Sequence, residues 1–374
     1  LKTGVDWQAV RAEFPSLRNW TYLNTATYGQ MPARAVRAVE GHFARRDETA
    51  CSDFLTWFDD ADRLRTVIAK LIHAEPGDIA FAPNASLALS WLTSGLEWQP
   101  GDRVLTLRDE FPNNLYAAAA LAPQGVEMVE APWEEFHGAL GPRTRLVLLS
   151  EVNYMSGFRP PLAEISRCAH EAGALLCVDG TQSLGALRFD VASVQPDMYA
   201  VDGYKWLMSP NGAGFAYVAP SVREKLRPGV IGWRSDRRWR QVASLHHGEP
   251  EFAPLAEKFE GGILPFPSLY GMEASAELVL EIGPEAIERR VLELAALVRS
   301  ALRGLGAEMA EGPLYEAPVI AARFSGRDPS ALARELKTRR VLVSARHGNL
   351  RVSTHLYNNE EDIERLVSAL RALL

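Results

Sequence analysis

Cysteine is scarce in this chain, and the three that occur, Cys51, Cys168 and Cys177, form no CxxC pair. An odd number without metal-ligand spacing describes no disulfide framework, and it points to a reducing compartment. Long apolar runs are missing too. No stretch approaches the roughly 18–20 residues that cross a bilayer, and residues 1–7 carry no hydrophobic signal core; no membrane partner is expected, and the cytoplasm is the default location. An excess of basic charge is absent: 40 Lys and Arg stand against 47 Asp and Glu, a formal net charge of −7. That balance argues against nucleic acid, whose phosphates require clustered cations. No GxGxxG follows a first strand, which removes the signature of a nicotinamide-dependent Rossmann enzyme. His246-His247 are adjacent and lack ligand-spaced partners, so no metal site is expected.

What is present is globular. With 374 residues, 47% hydrophobic and 23% charged, the chain can bury a sizeable core and fits one large domain plus a smaller one. From about 63 to 218, helical and extended patterns alternate. Apolar positions at 64, 67, 68, 71 and 72 predict a helix, 79–81 a strand, and Asn84-Ala85-Ser86 a capped helix start. Further strands are predicted at 103–107, 126–130, 146–150, 175–178, 198–201 and 214–218, and a helix at 162–172 closed by Gly173. Continuous apolar strands separated by helices predict an α/β fold: a large domain with a mostly parallel sheet covered on both faces. Residues 220–266 read as an irregular, Gly/Pro/Trp/Arg-rich stretch. Helices at 270–281 and 284–305, strands at 319–324, 341–343 and 350–353, and helices at 329–339 and 360–373 then predict a smaller α+β domain. The expected division is an N-terminal segment 1–20, a large domain 21–270 and a small domain 271–374, with the boundary near Gly271–Gly283.

Two strand ends carry the chemistry. Asp179, in Cys177-Val178-Asp179-Gly180-Thr181-Gln182-Ser183, follows a buried apolar run, where an unpaired carboxylate is costly. Lys205, in Asp202-Gly203-Tyr204-Lys205-Trp206-Leu207, lies between two aromatic residues that can desolvate an amine and lower its pKa. Taken singly, the first reads as a turn or cap Asp and the second as a surface Lys. Together, an amine for a Schiff base and an acid for a pyridinium nitrogen, both at strand ends, match the needs of pyridoxal phosphate chemistry.

These two segments, with Pro210-Asn211-Gly212-Ala213-Gly214, resemble the core motifs of class V pyridoxal-phosphate enzymes, a family of aminotransferases, cysteine desulfurases, kynureninases and isopenicillin-N-epimerase-like proteins. The resemblance runs from Tyr22-Leu23-Asn24-Thr25-Ala26 to residues 350–358. It implies fold type I, a homodimer with shared active sites, and an amino-acid or amine substrate bearing a carboxylate. It also implies roles: Lys205 as the Schiff-base lysine, Asp179 on the ring nitrogen, Gln182 and Asn153 on the phenolic oxygen, and Phe111 stacked on the ring, where many relatives use His. Ala85 and Ser86 match the phosphate-binding turn, a context that an N-cap also explains. Asp202 stands where desulfurases often carry Ser, and Tyr204 where they often carry His; a carboxylate there repels phosphate unless turned aside or neutralised. Arg351 matches the arginine that binds the substrate carboxylate, with Asn24 and Thr25 as substrate-side contacts. Gly262 and Ile263 match a segment reaching the neighbouring subunit's phosphate, although Ile263 brings no hydroxyl. A core Phe111 and a surface-strand Arg351 are the plainer readings of those residues.

Desulfurases carry a nucleophilic Cys on a loop before the C-terminal Arg motif, whereas here residues 343–349 read VSARHGN. Persulfide formation would lack its nucleophile. The resemblance therefore implies aminotransferase chemistry, with epimerase, racemase or C–S lyase chemistry and a catalytically silent cofactor-binding regulator as alternatives.

Overall fold

The computed structural model describes residues 4–245 and 247–374. His246, half of the histidine pair noted above, lies outside the described residues. A seven-stranded sheet organises the larger part of the chain, in the order Ile79–Ala82, Gly214–Val218, Met198–Asp202, Leu175–Asp179, Thr144–Ser150, Arg103–Leu107, Glu127–Ala131. Gly214–Val218 alone runs antiparallel to its neighbours.

The apolar runs form central strands because both faces are buried. Val147, Leu149, Leu176, Val178, Tyr199 and Val201 enter the core built with helices Thr56–Ile72, Leu162–Glu171 and Phe266–Ile282. The intervening Leu146, Leu148, Cys177, Met198 and Ala200 face the opposite layer, against helix Ala85–Gly95. This two-residue alternation puts successive side chains into different cores. The parallel strands deliver Ala82, Leu107, Ser150, Asp179 and Asp202 to one edge, where such sheets build their sites.

A third core, including Leu23, Leu294, Val298, Ile320, Leu336, Leu350, Val352 and Leu366, surrounds a small antiparallel sheet. Its strand order is Ser344–Arg346, Asn349–Ser353, Val319–Ala322. The expected strand at 341–343 is shorter, Val341–Leu342, and pairs parallel with Thr21–Tyr22 instead of joining that sheet. The N-terminal strand thus clasps the C-terminal region. Helix Phe266–Ile282 runs unbroken past Gly271, and its buried Leu269, Met272, Ala276 and Val279 belong to the large core. The change of partners falls inside the next helix, Pro284–Gly304: its Ile287 and Val291 still enter the large core, while Leu294, Val298 and Leu302 enter the third. Helix Ala33–Thr49 has little sequence signal, since it buries only Ala35 and His42. Among the described residues, no helix is long and apolar enough to cross a membrane.

Candidate active site

Lys205 sits in the turn that follows Asp202. The Gly29 N–H donates to the Tyr204 carbonyl at 3.0 Å, and a Cβ on Gly29 would lie 1.8 Å from the Lys205 carbonyl oxygen. Only glycine lets the N-terminal segment lie this close. The Lys205 side chain is 6% exposed, with Nζ 5.3 Å from the Phe111 ring centre and 5.4 Å from that of Tyr204. Burial lowers its pKa to about 8; Arg351 and Arg346 push the same way, while Asp179 and Asp202 oppose.

Asp179 ends its strand and is buried. Burial raises its pKa, against the pull of Thr181, whose N–H donates to Oδ1 at 2.9 Å, and of Lys205. Gln182 is a tie: its Nε2 donates to the Ala26 carbonyl at 3.0 Å, and its Oε1 accepts from Trp206 Nε1 at 2.9 Å. Asn153 does similar work, donating to the Asp109 carbonyl at 2.9 Å and accepting from the N–H groups of Met155 and Ser156. Each carboxamide keeps one N–H for another acceptor. Phe111 is braced edge-on by Tyr154, ring centres 5.1 Å apart.

Asn84 caps helix Ala85–Gly95 by accepting from the Leu87 N–H at 3.0 Å. The cap and anion-binding readings of this turn are compatible, because the cap uses the Leu87 N–H and a helix leaves its first N–H groups without intrahelical acceptors. Asp202 borders the same place. The N–H groups of Ala85 and Tyr204 both act on its carboxylate. Tyr204 packs on Tyr28 with ring centres 5.0 Å apart.

Arg351 is 1% exposed. It donates from Nε to Ser344 Oγ at 3.1 Å, from one terminal nitrogen to the Tyr154 carbonyl at 2.7 Å, and from the other to Thr27 Oγ1 at 2.6 Å. One N–H on each terminal nitrogen remains, and among the described residues no carboxylate pairs with the guanidinium. Burial, then Arg346, brings its pKa down to about 10. The structure corrects Thr25: it is fully buried and shares a 2.5 Å hydrogen bond with Tyr357. The threonine hydroxyl on Arg351 belongs to Thr27, which donates to Asn24 Oδ1 at 2.9 Å, so Asn24 reaches Arg351 through Thr27.

Gly262 and Ile263 lie far from being packed: Ile263 is 67% exposed. Their loop is pinned by Glu260, whose buried carboxylate meets Arg65 at 2.6 Å, Arg234 at 2.5 Å and the Phe81 N–H at 2.8 Å. Sequence reasoning missed Glu260, and also Glu110. The buried Glu110 carboxylate accepts from Ser150 N–H at 2.8 Å, Ser150 Oγ at 2.6 Å and Asn114 Nδ2 at 3.0 Å, locking the Phe111 turn to the next strand. Glu110 follows a strand end just as Asp179 does, and that rule applied evenly would have found it.

A buried amine of lowered pKa, a buried carboxylate, an aromatic face and a helix N-terminus, all at the carboxyl edge of a mostly parallel sheet, define a fold type I pyridoxal-phosphate enzyme. The chain belongs to the class-V aminotransferase family, whose model matches residues 22–366. It is 28% identical to an isopenicillin N epimerase of Streptomyces clavuligerus over 98% of both proteins, and 26% identical to a probable cysteine desulfurase of Methanothermobacter thermautotrophicus over 97% of both. Among solved structures, the cystine C–S lyase C-DES in complex with cysteine persulfide superposes with a TM-score of 0.88 at 25% identity, covering 96% of this chain and 98% of that one. Pyridoxal phosphate is the family's cofactor, and the donor set fits it: an amine, an acid, two spare carboxamide N–H groups and the N–H groups of a helix start, of which Ala85's acts on Asp202. The one discordant group is Asp202.

Proposed function

We propose that the protein converts an α-amino acid at Lys205 by aminotransferase-type chemistry. The observation that carries this reading is the buried Arg351, a guanidinium without a carboxylate, close enough to Lys205 to lower its pKa. Its two unused N–H groups suit a substrate carboxylate held bidentately. When bound, pyridoxal phosphate withdraws electrons from the substrate Cα so that its proton can leave. Asp179 keeps a negative charge beside a protonated ring nitrogen, Phe111 offers its face, and the spare N–H groups of Gln182 and Asn153 serve the phenolic oxygen. Phe111 cannot move a proton, which leaves Lys205 as the base that takes the Cα proton and returns it. Were Lys205 to withhold the proton from Cα, water would release the carbon skeleton as a keto acid and the amino group would stay with the cofactor.

A second reading has its own support. The likeness to isopenicillin N epimerase favours return of the proton to Cα, and the likeness to a cystine C–S lyase favours loss of a β-substituent. Cysteine desulfuration is unsupported by the local chain. Residues 344–353 form a hairpin whose Arg346 and Asn349 pair directly, and the intervening turn is His347-Gly348. No thiol stands there.

The same reading includes a homodimer. Ile263, and Val230 and Ile231 at 41% and 51% exposure, present apolar side chains on this part of the surface, Val230 lying against Gly261, and a partner's phosphate would be reached by backbone N–H groups of this segment.

A panel of α-deuterated amino acids tests the reaction. Keto acid with conversion to the pyridoxamine form supports transamination. Loss of deuterium with amino acid retained supports epimerisation, and release of the β-substituent supports the lyase. No turnover with any substrate would overturn the enzymatic reading in favour of a silent regulator.

A further inference from the structure

Asp202 is an anion in an anion's place. Its carboxylate lies at the N-terminus of helix Ala85–Gly95, acted on by the N–H groups of Ala85 and Tyr204, which are donors that a phosphate would need. One carboxylate oxygen, Oδ1, is buried and has no hydrogen-bond partner. Its backbone is fixed at this place. Its N–H donates to Thr181 Oγ1 at 3.0 Å, and the residue pairs with Gly214 in the sheet. A phosphate monoester brings about −1.5 to −2 charges, so an ionised Asp202 beside it would be strongly unfavourable, whereas a neutral carboxyl is a hydrogen-bond donor.

We propose that Asp202 is a phosphate-site donor that works protonated, so that binding of the phosphorylated cofactor takes one proton from solvent onto its carboxyl. The charged groups facing it are Lys205, which favours the ionised form, and Asp179, which opposes it; Tyr204 borders it and is itself held protonated, its pKa raised by burial and by Asp202. Burial already pushes the Asp202 pKa up to about 6, ahead of Lys205, so near neutrality the proton is within reach and a nearby phosphate draws it on. The consequence is a cofactor affinity that weakens as pH rises above 6. This inference rests on the cofactor and is independent of which reaction follows.

Pyridoxal, which lacks the phosphate but forms the same bond to Lys205, is the control. Dissociation constants of pyridoxal phosphate and pyridoxal are measured on the apo-protein from pH 6.5 to 8.5. Their ratio isolates the phosphate, and in the unaltered protein its advantage falls about tenfold per pH unit. In Asp202→Asn, a fixed donor, the advantage is flat over that range and at pH 8.5 exceeds the unaltered protein's by at least tenfold. Proton uptake measured calorimetrically in buffers of different ionisation enthalpy needs no variant: at pH 8, close to one proton more is taken up with pyridoxal phosphate than with pyridoxal. Equal uptake for the two ligands, or a phosphate advantage independent of pH in the unaltered protein, overturns the proposal whatever the catalytic panel shows.

Discussion

Arg351 is a buried guanidinium that three neutral acceptors orient and none neutralises. A charge held this way waits for an anion from outside, and losing it should cost a carboxylate-bearing substrate more than any other. Arg351→Ala is expected to lower kcat/KM for α-amino acids by at least 100-fold, about 3 kcal/mol, while amines without the carboxylate lose much less. Arg351→Lys should recover little, because a single ammonium replaces a planar fork. Equal losses for both substrate classes would contradict the assignment. At this scale the sequence singled out Lys205 and Asp179 as candidates from their strand ends, and Arg351 from the family resemblance alone. Thr27 was not. Whether Thr25 or Thr27 meets Arg351 depends on how the bridge between Asn24 and Ser353 turns the segment, and two threonines two residues apart read alike.

The C-terminal segment and the Lys205 turn are joined by one imidazole. His355 is fully buried; its Nε2–H donates to the Trp206 carbonyl at 2.7 Å and its Nδ1 accepts from the Leu356 N–H at 2.7 Å. The accepting Nδ1 leaves no place for a second proton, and burial lowers the pKa to about 4 against the Trp206 hydrogen bond, which raises it. The unfolded chain binds a proton near pH 6.5 that the folded one refuses until about 4. Stability from this group is complete above pH 6.5 and declines as pH falls toward 4, by about 3 kcal/mol at most. Urea unfolding between pH 7.5 and 4.5 should show this slope, and His355→Gln should flatten it while lowering stability at pH 7.5. An unchanged slope in the variant would remove His355 from the account. Strands were the most legible elements, because double-sided burial leaves continuous apolar runs. Helix Ala33–Thr49 and strand Ser344–Arg346 were not, the one burying too little and the other being three residues long.

For the whole molecule, the open question is what covers the apolar surface around Ile263. A second copy of the chain predicts a dimer in sedimentation whose dissociation constant rises at least tenfold in Ile263→Asp, with cofactor affinity falling in parallel if the segment reaches the partner's phosphate. A monomer of unaltered cofactor affinity would refute the shared-site reading. The sequence alone determined the α/β layering and the family, and it singled out Lys205 and Asp179 as candidates, because alternating burial, strand-end polar residues and ordered motifs are local properties of the chain. Cysteine, scarce from the outset, also kept its meaning: none of the three stands on the hairpin at 344–349. Only the tertiary structure decided that packing changes partners between Val291 and Leu294, that Thr27 and not Thr25 orients Arg351, and that Asp202 faces the helix start with an oxygen unpartnered. Those outcomes depend on which distant segments meet, and a side chain's charge and hydrogen bonds are set by the neighbours that folding brings to it.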